Sequence, residues 1–355
     1  MDRTTRTTRT TVTTVLATVW LLALASPALA CGGLVGENGT IQLVRTTTLS
    51  AYTDGVQRYV TAFQFTGETG DAGEVGSIVP LPDVPTEVVR GGDWTLQRLA
   101  REVAPQDTAR AAALDGAETE AASAEVLLEA EIDALDITVL RGGADEVGRW
   151  AVENGFFLTP DAPEVLDFYA ARSEIFMAAK FDASRAAELG QGAGDATPIM
   201  LTIPTDQPWV PLRILGLGAD DADVVEADVF LLTDDEPQLL AGGRGLSLER
   251  SEPANRPLLA DLRSDAGMGW VPEDMWLSYL QLEVPAGELT YDLAISTDPD
   301  VHPSLEDAGV AERAAAVPVT TEPNPTGWPL LLGTLAGGAT LLLVRRARRV
   351  SGVRR

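Results

Sequence analysis

Residues 327–344 of this chain form one uninterrupted apolar run, and the five residues that follow read Arg-Arg-Ala-Arg-Arg. No charge falls inside the run. A helix of that length reaches roughly 27 Å at about 1.5 Å per residue, slightly less than the hydrocarbon layer of about 30 Å. The segment is therefore expected to cross a membrane as a helix with little tilt. Trp328 suits the outer interface, and Arg345 and Arg346 suit the cytoplasmic headgroups under the positive-inside rule. The competing reading, a buried core helix, leaves the missing polar face and the arginine tail unexplained. Gly333 and Gly337 stand in Gly-x-x-x-Gly spacing, which permits close helix contact and a homodimer within the membrane.

The opposite end agrees with this topology. Arg3, Arg6 and Arg9 make a basic start, residues 12–25 an apolar stretch, and Ala28 and Ala30 a small-x-small cleavage site before Cys31. Acylation of Cys31 competes with simple cleavage, although Ala28 stands where a lipoprotein signal usually carries a larger apolar residue. The expected layout is a signal peptide over 1–30 and an extracytoplasmic α+β domain over 31–302, with a point of subdivision near 133. An Ala/Pro/Thr-rich stalk over 303–326, a transmembrane helix over 327–344 and a basic cytoplasmic tail over 345–355 follow. This makes a single-pass cell-membrane protein with its main domain outside.

The formal charge is −27, from 53 acidic and 26 basic residues. Because both ends are basic, the exported part is more acidic still. That excludes nucleic acid as a partner, since a binder needs a positive face to release counterions from phosphates. It suits solubility, cations or basic partners. Cys31 is the sole cysteine, so no internal disulfide forms and the fold must rest on its hydrophobic core.

Periodicity predicts an antiparallel-rich α+β fold. Residues 40–51 alternate, Asp54-Gly55 is a hairpin turn, 56–66 return and 75–82 add a third strand, together a three-stranded antiparallel unit. An amphipathic helix follows over 94–103. The acidic, alanine-rich stretch 107–132 reads as a solvated helix or an insertion. A strand over 135–140, a helix over 144–154, a second helix capped by Asp161 with Glu164 three residues on, and a strand over 174–181 come next. That order predicts helices packed on one sheet face. Strands are expected over 198–204, 209–217 and 224–233, and a closing hairpin over 276–296. Signals between 234 and 265 are weak.

Catalytic chemistry finds little support. His302 is the only histidine, and there is no Gly-x-Ser-x-Gly, phosphate-cradling loop or zinc spacing. Gly216-Leu217-Gly218 lacks the third glycine of a dinucleotide fingerprint and reads as a turn. No catalytic residue and no organic cofactor is expected. Calcium is the one candidate ion: Asp220, Asp221, Asp223, Glu226 and Asp228 cluster hard oxygens, though without EF-hand spacing, and a solvated acidic loop is the competing reading. Asp234-Asp235-Glu236 is a second acidic cluster.

Several segments in this order resemble a bacterial family. They are Cys31-Gly32-Gly33 after the signal; Ile78-Val79-Pro80-Leu81-Pro82-Asp83-Val84-Pro85; Trp150-Ala151-Val152-Glu153-Asn154-Gly155-Phe156-Phe157; Phe168-Tyr169 followed by Ile175-Phe176-Met177-Ala178-Ala179-Lys180; then Pro198 to Leu201 and Trp209 to Arg213. Over roughly 31–233 the chain is similar to the family known as domain of unknown function 2330. The resemblance implies an exported, membrane-anchored bacterial protein and carries over no catalytic residue. One departure is Gly76-Ser77, where an aromatic pair is common. The expected function is a non-enzymatic binding or structural module that engages an envelope component or another protein at the bacterial cell envelope. The alternative is a carboxylate- or metal-dependent envelope hydrolase, which needs two carboxylates facing each other across a cleft.

Overall fold

Asp54 and Gly55 take φ of 53° and 74°, the left-handed pair that a two-residue type I′ hairpin turn requires. The computed structural model thus turns where the sequence says it should. It describes residues 33–36, 46–63, 75–103, 124–190 and 197–310, all within one compact unit. In chain order come β1 Gly33–Gly36, β2 Thr46–Thr53, β3 Val56–Phe63, β4 Val75–Leu81, β5 Glu87–Arg90, α1 Thr95–Val103, β6 Glu125–Ile132 and β7 Leu135–Arg141. Helices α2 Ala144–Glu153 and α3 Ala162–Ala170 precede β8 Ile175–Phe181, α4 Ala183–Leu189, β9 Thr197–Pro204 and β10 Trp209–Val210. The remainder is β11 Val224–Thr233, β12 Gln238–Ala241, β13 Leu246–Pro253, α5 Arg256–Ser264, β14 Trp276–Pro285 and β15 Leu293–Ser296.

These strands form a seven-stranded sheet (β13-β14-β11-β2-β3-β9-β5), a five-stranded sheet (β1-β4-β8-β7-β6) and a three-stranded sheet (β10-β15-β12). The fold is α+β and rich in antiparallel pairing, with β11 running parallel to β2. Side-chain alternation gives the seven-stranded sheet two apolar faces. Leu49, Val60, Met200, Phe230 and Leu277 pack with Leu96 and Leu99 of α1 and Leu258 and Leu262 of α5. Tyr59, Leu201, Val229 and Leu280 point the other way, into a larger core shared with β4, β7, β8, α2 and α3. The helices therefore fall into two sets on different sides, not on one sheet face. The strand-helix-helix-strand order accounts for α2 and α3 only. Helix α5 lies in the stretch of weak signals, started by Asn255, whose side-chain amide oxygen accepts the Leu258 N–H at 2.8 Å with a proline in the first turn.

Three further expectations are corrected. Strand β4 does not complete a unit with β2 and β3; it pairs with β8 and β1. Ile78, Val79 and Leu81 are all buried, so both faces of β4 need cover, which an interior position provides. The second correction is at Glu125–Ile132, a strand where a solvated helix or an insertion was expected; pairing with β7 overrides the helical preference of its alanine and glutamates. Residues 107–123 lie outside the described residues. Third, β14 and β15 are not a hairpin: β14 lies between β11 and β13, and β15 between β10 and β12. Between them Ala286–Glu288 make a 3-10 turn, held by the Ala286 and Gly287 N–H groups on the carbonyls of Asp223 and Asp221, and that turn sends the chain into another sheet.

The strand expected over 209–217 is likewise cut short. Only Trp209–Val210 pairs; Pro211 has no N–H for a ladder, and Arg213–Gly216 coil into a 3-10 turn. Residue 133 is in the turn of the β6–β7 hairpin, within one sheet and at its edge. Residues 303–310, the described part of the expected stalk, lie against the domain: Asp292 N–H donates to the Ala308 carbonyl at 3.0 Å and Ala308 is buried. At Gly76 a Cβ would run into the ring of Phe156, so Phe156 packs directly on this glycine. Among the described residues no helix is long and apolar enough to cross a membrane. Ala28, Ala30, Cys31, Trp328, Gly333, Gly337, Arg345 and Arg346 lie outside the described residues.

Candidate functional site

Asp292, just before β15, is a buried acid at the centre of a hydrogen-bonded hub. Its fully buried carboxylate accepts from the Tyr169 hydroxyl at 2.8 Å, from the N–H groups of Leu212 and Arg213 at 2.7 and 3.1 Å, and pairs with Arg172 at 2.5 Å. Tyr169 in turn accepts the Ile214 N–H at 2.9 Å. Arg172 lies 4.4 Å over the Trp209 ring and donates to the Asp307 carbonyl at 2.7 Å. Burial, joined by the Asp292 charge, pushes the Tyr169 phenol well above its ordinary value. A buried charge with its partners in place holds structure together. Here it ties α3, β10, β15 and residues 303–310 to one point. Nothing in the local sequence announces it, because Asp292 is one acid among 53.

A cavity of about 400 Å³ opens beside this hub, lined by Asp161, Glu164, Arg213, Asp220, Asp221 and Gly218 among others. The predicted capping box is absent. Asp161 has helical φ and ψ of −83° and −13°, and its side chain makes no bond to its helix; its carboxylate reaches across to the Gly218 N–H at 2.9 Å, and Glu164 pairs with Arg213. Of the five calcium candidates, Asp220 and Asp221 line the cavity, and Asp223 closes the same turn, its N–H on the Asp220 carbonyl at 2.8 Å. Glu226 and Asp228 lie elsewhere, on β11, where Asp228 accepts from the Tyr279 hydroxyl at 2.6 Å. The structure therefore separates the set. Among the described residues no group of three or more His, Cys, Asp or Glu side chains is placed to hold a metal. Gly218 ends the 3-10 turn with φ of 77°, and His302 is exposed.

The second opening is a groove of about 640 Å³ on the α1/α5 side of the seven-stranded sheet, lined by Arg58, Glu87, Val89, Met200, Thr202 and Trp270 among others. Register builds it. Arg58 lies opposite Thr202, and Thr202 opposite Glu87; one step along the same face, Val60 lies opposite Met200 and Met200 opposite Val89. The floor is thus one polar row beside one apolar row. Trp270 makes a wall, with the Arg58 guanidinium 4.8 Å from its ring centroid.

That wall is fixed at both ends. Met268 and Val271 are buried beneath it, and Arg263 donates to the carbonyls of Val271 and Pro272 at 2.7 and 2.8 Å. Asp265 accepts from the N–H groups of Asp93 and Trp94, each at 3.0 Å, from the Thr95 hydroxyl at 2.7 Å and from the Ala266 N–H at 2.8 Å. Burial raises its pKa, but these hydrogen bonds outweigh it and hold the carboxyl below its ordinary value.

Arg58 stands apart electrostatically. The other half-buried arginines described, Arg90, Arg98, Arg172, Arg185, Arg213, Arg250 and Arg263, each have a carboxylate within salt-bridge distance. Among the described residues Arg58 has only the Trp270 face and a 3.5 Å contact to the Thr53 hydroxyl. Sequence reading missed this groove because its residues come from three strands and a loop up to 212 positions apart in the chain, from Arg58 to Trp270.

No curated protein matches this chain. Among solved structures, baculovirus P35 is similar at 10% identity and a TM-score of 0.37, over 73% of this chain and 96% of that one. A likeness at that level supports no inference. Residues 25–234 match the family described as "Uncharacterized protein conserved in bacteria (DUF2330)", well over half of the chain, and the protein belongs to that family.

Proposed function

We propose that this protein is an exported, membrane-anchored binding module of the bacterial cell envelope and that its ligand sits in the groove beside Arg58. Arg58 carries the reading. In a chain with twice as many acids as bases, a half-buried guanidinium with no carboxylate beside it among the described residues is an unmet charge, and an anionic group on a ligand would meet it. A non-enzymatic role is supported by the acidic cavity, where Asp161 and Glu164 are engaged by Gly218 and Arg213. Export and single-pass anchoring are supported by residues 1–30 and 327–344, with Gly333 and Gly337 offering a homodimer contact.

Mass spectrometry of small molecules that co-purify with the full chain from its membrane tests the site. The wild type is expected to retain a compound that Arg58→Ala loses; identical sets would overturn the groove as the site. Protease added to intact cells is expected to digest the domain, and protection until lysis would overturn its external placement.

A further inference from the structure

The groove does more than offer a cation. Arg58, Thr202 and Glu87 form one row across β3, β9 and β5, and at about 4.8 Å per strand the two charged residues stand roughly 10 Å apart at their Cα atoms. The row runs from cation through hydroxyl to anion. Glu87, like Arg58, has no ion-pair partner among the described residues; its contact is the Thr202 hydroxyl at 3.5 Å. Arg90, also in the lining, is engaged by Asp93 and Asp133 and does not compete. Beside the row lie the apolar strip of Met200 and Val89 and the Trp270 ring.

A simple anion would meet repulsion from Glu87, and a simple cation would meet it from Arg58. The complement of the row is a molecule with a carboxylate at one end, an ammonium at the other and an apolar substituent to one side. Resting on the groove being the ligand site, we infer that its ligand is a zwitterion of the amino-acid type, a free amino acid or a short peptide, with its carboxylate on Arg58, its ammonium on Glu87 and its side chain against Met200, Val89 and Trp270. The groove's volume of about 640 Å³ falls within the range of small-molecule sites. A preformed, anchored wall keeps the ordering cost of binding low.

Calorimetry on the full chain in detergent tests this with leucine, Leu-Leu and Leu-Leu-Leu, alongside N-acetyl-leucine and leucine amide. At least one zwitterion is expected to bind, and the arm with the highest affinity distinguishes an amino acid from a peptide. Removing either end charge is expected to weaken binding by roughly tenfold to a hundredfold, as loss of a hydrogen bond to a charged group does. Glu87→Gln, at an exposed position where folding is not at risk, is expected to weaken zwitterion binding and to tighten that of N-acetyl-leucine by relieving its repulsion, whereas Arg58→Ala weakens both. If N-acetyl-leucine binds as tightly as leucine, or Glu87→Gln changes nothing, the ammonium assignment is wrong. If no zwitterion binds while the wild type still retains an Arg58-dependent compound from the membrane, the zwitterion is overturned and the binding module stands. If that dependence is missing too, both fall.

Discussion

The hydroxyl of Tyr169 donates to the carboxylate of Asp292 at 2.8 Å, and neither side chain reaches solvent. The pair joins a helix to the residue just before a strand, 123 positions away in the chain. Tyr169→Phe removes a hydrogen bond to a buried charge and leaves the Ile214 N–H without its acceptor. It is expected to cost about 1.5–3 kcal/mol, and Asp292→Ala, which strands Arg172, about 3–5 kcal/mol. Urea unfolding checks both. An unchanged midpoint for Tyr169→Phe would refute the central place given to this pair.

The same phenol sets an alkaline limit. Its folded pKa is raised above the ordinary 10.0 by burial and by Asp292, so its contribution is fully present below that value and is lost as pH climbs from there towards the folded pKa. Stability is expected to fall above about pH 10, with a shallower slope in Tyr169→Phe. Parallel slopes would exclude Tyr169 as the group responsible.

Asp265 sets an acid limit in the opposite sense. Its folded pKa lies below the ordinary 3.8, so its contribution is present above that value and is lost as pH falls through the folded pKa. Asp265→Asn is expected to be less stable than the wild type at neutral pH, the gap closing below about pH 4. A gap that persists at pH 2 would mean that shape, not charge, matters at this position.

Gly76 is required by Phe156. Gly76→Ala is expected to cost about 1–3 kcal/mol through overpacking, and Phe156→Leu in the same chain to recover part of it. Additive losses in the double variant would show that the two residues do not share space.

Thr48 gives a prediction of the other sign. Its hydroxyl is buried without a partner among the described residues, so Thr48→Val is expected to be neutral or stabilising by up to about 1 kcal/mol. A clear loss would reveal a buried water on that oxygen.

Much of the local structure is legible in the residues themselves. The Asp54-Gly55 turn, strand β7, helices α1, α2 and α3, and the stretch Thr197–Pro204 all follow from turn chemistry and hydrophobic period, as does the match to the family. The failures share a cause. Asp161 followed by Glu164 has the pattern of a capping box, yet a carboxylate takes the strongest partner within reach, and the fold brings Gly218 and Arg213 there. The acidic run from Asp220 to Asp228 looks like one cluster on paper, but a turn and then a strand point its members in different directions. Proximity in sequence is proximity in space only within an element.

The sequence by itself determined the alternation that made strands, the apolar stripes that made helices, the excess of acids, and family membership, because each depends on residues a few positions apart. Only the tertiary structure decided that β4 leaves its neighbours for another sheet, that β14 and β15 part company, that Asp292 is a hub, and that Arg58, Thr202, Glu87 and Trp270 share one groove. Those outcomes depend on pairing register between distant strands. Register is set by the whole core burying both faces of the seven-stranded sheet at once, a condition that no local stretch of the chain contains.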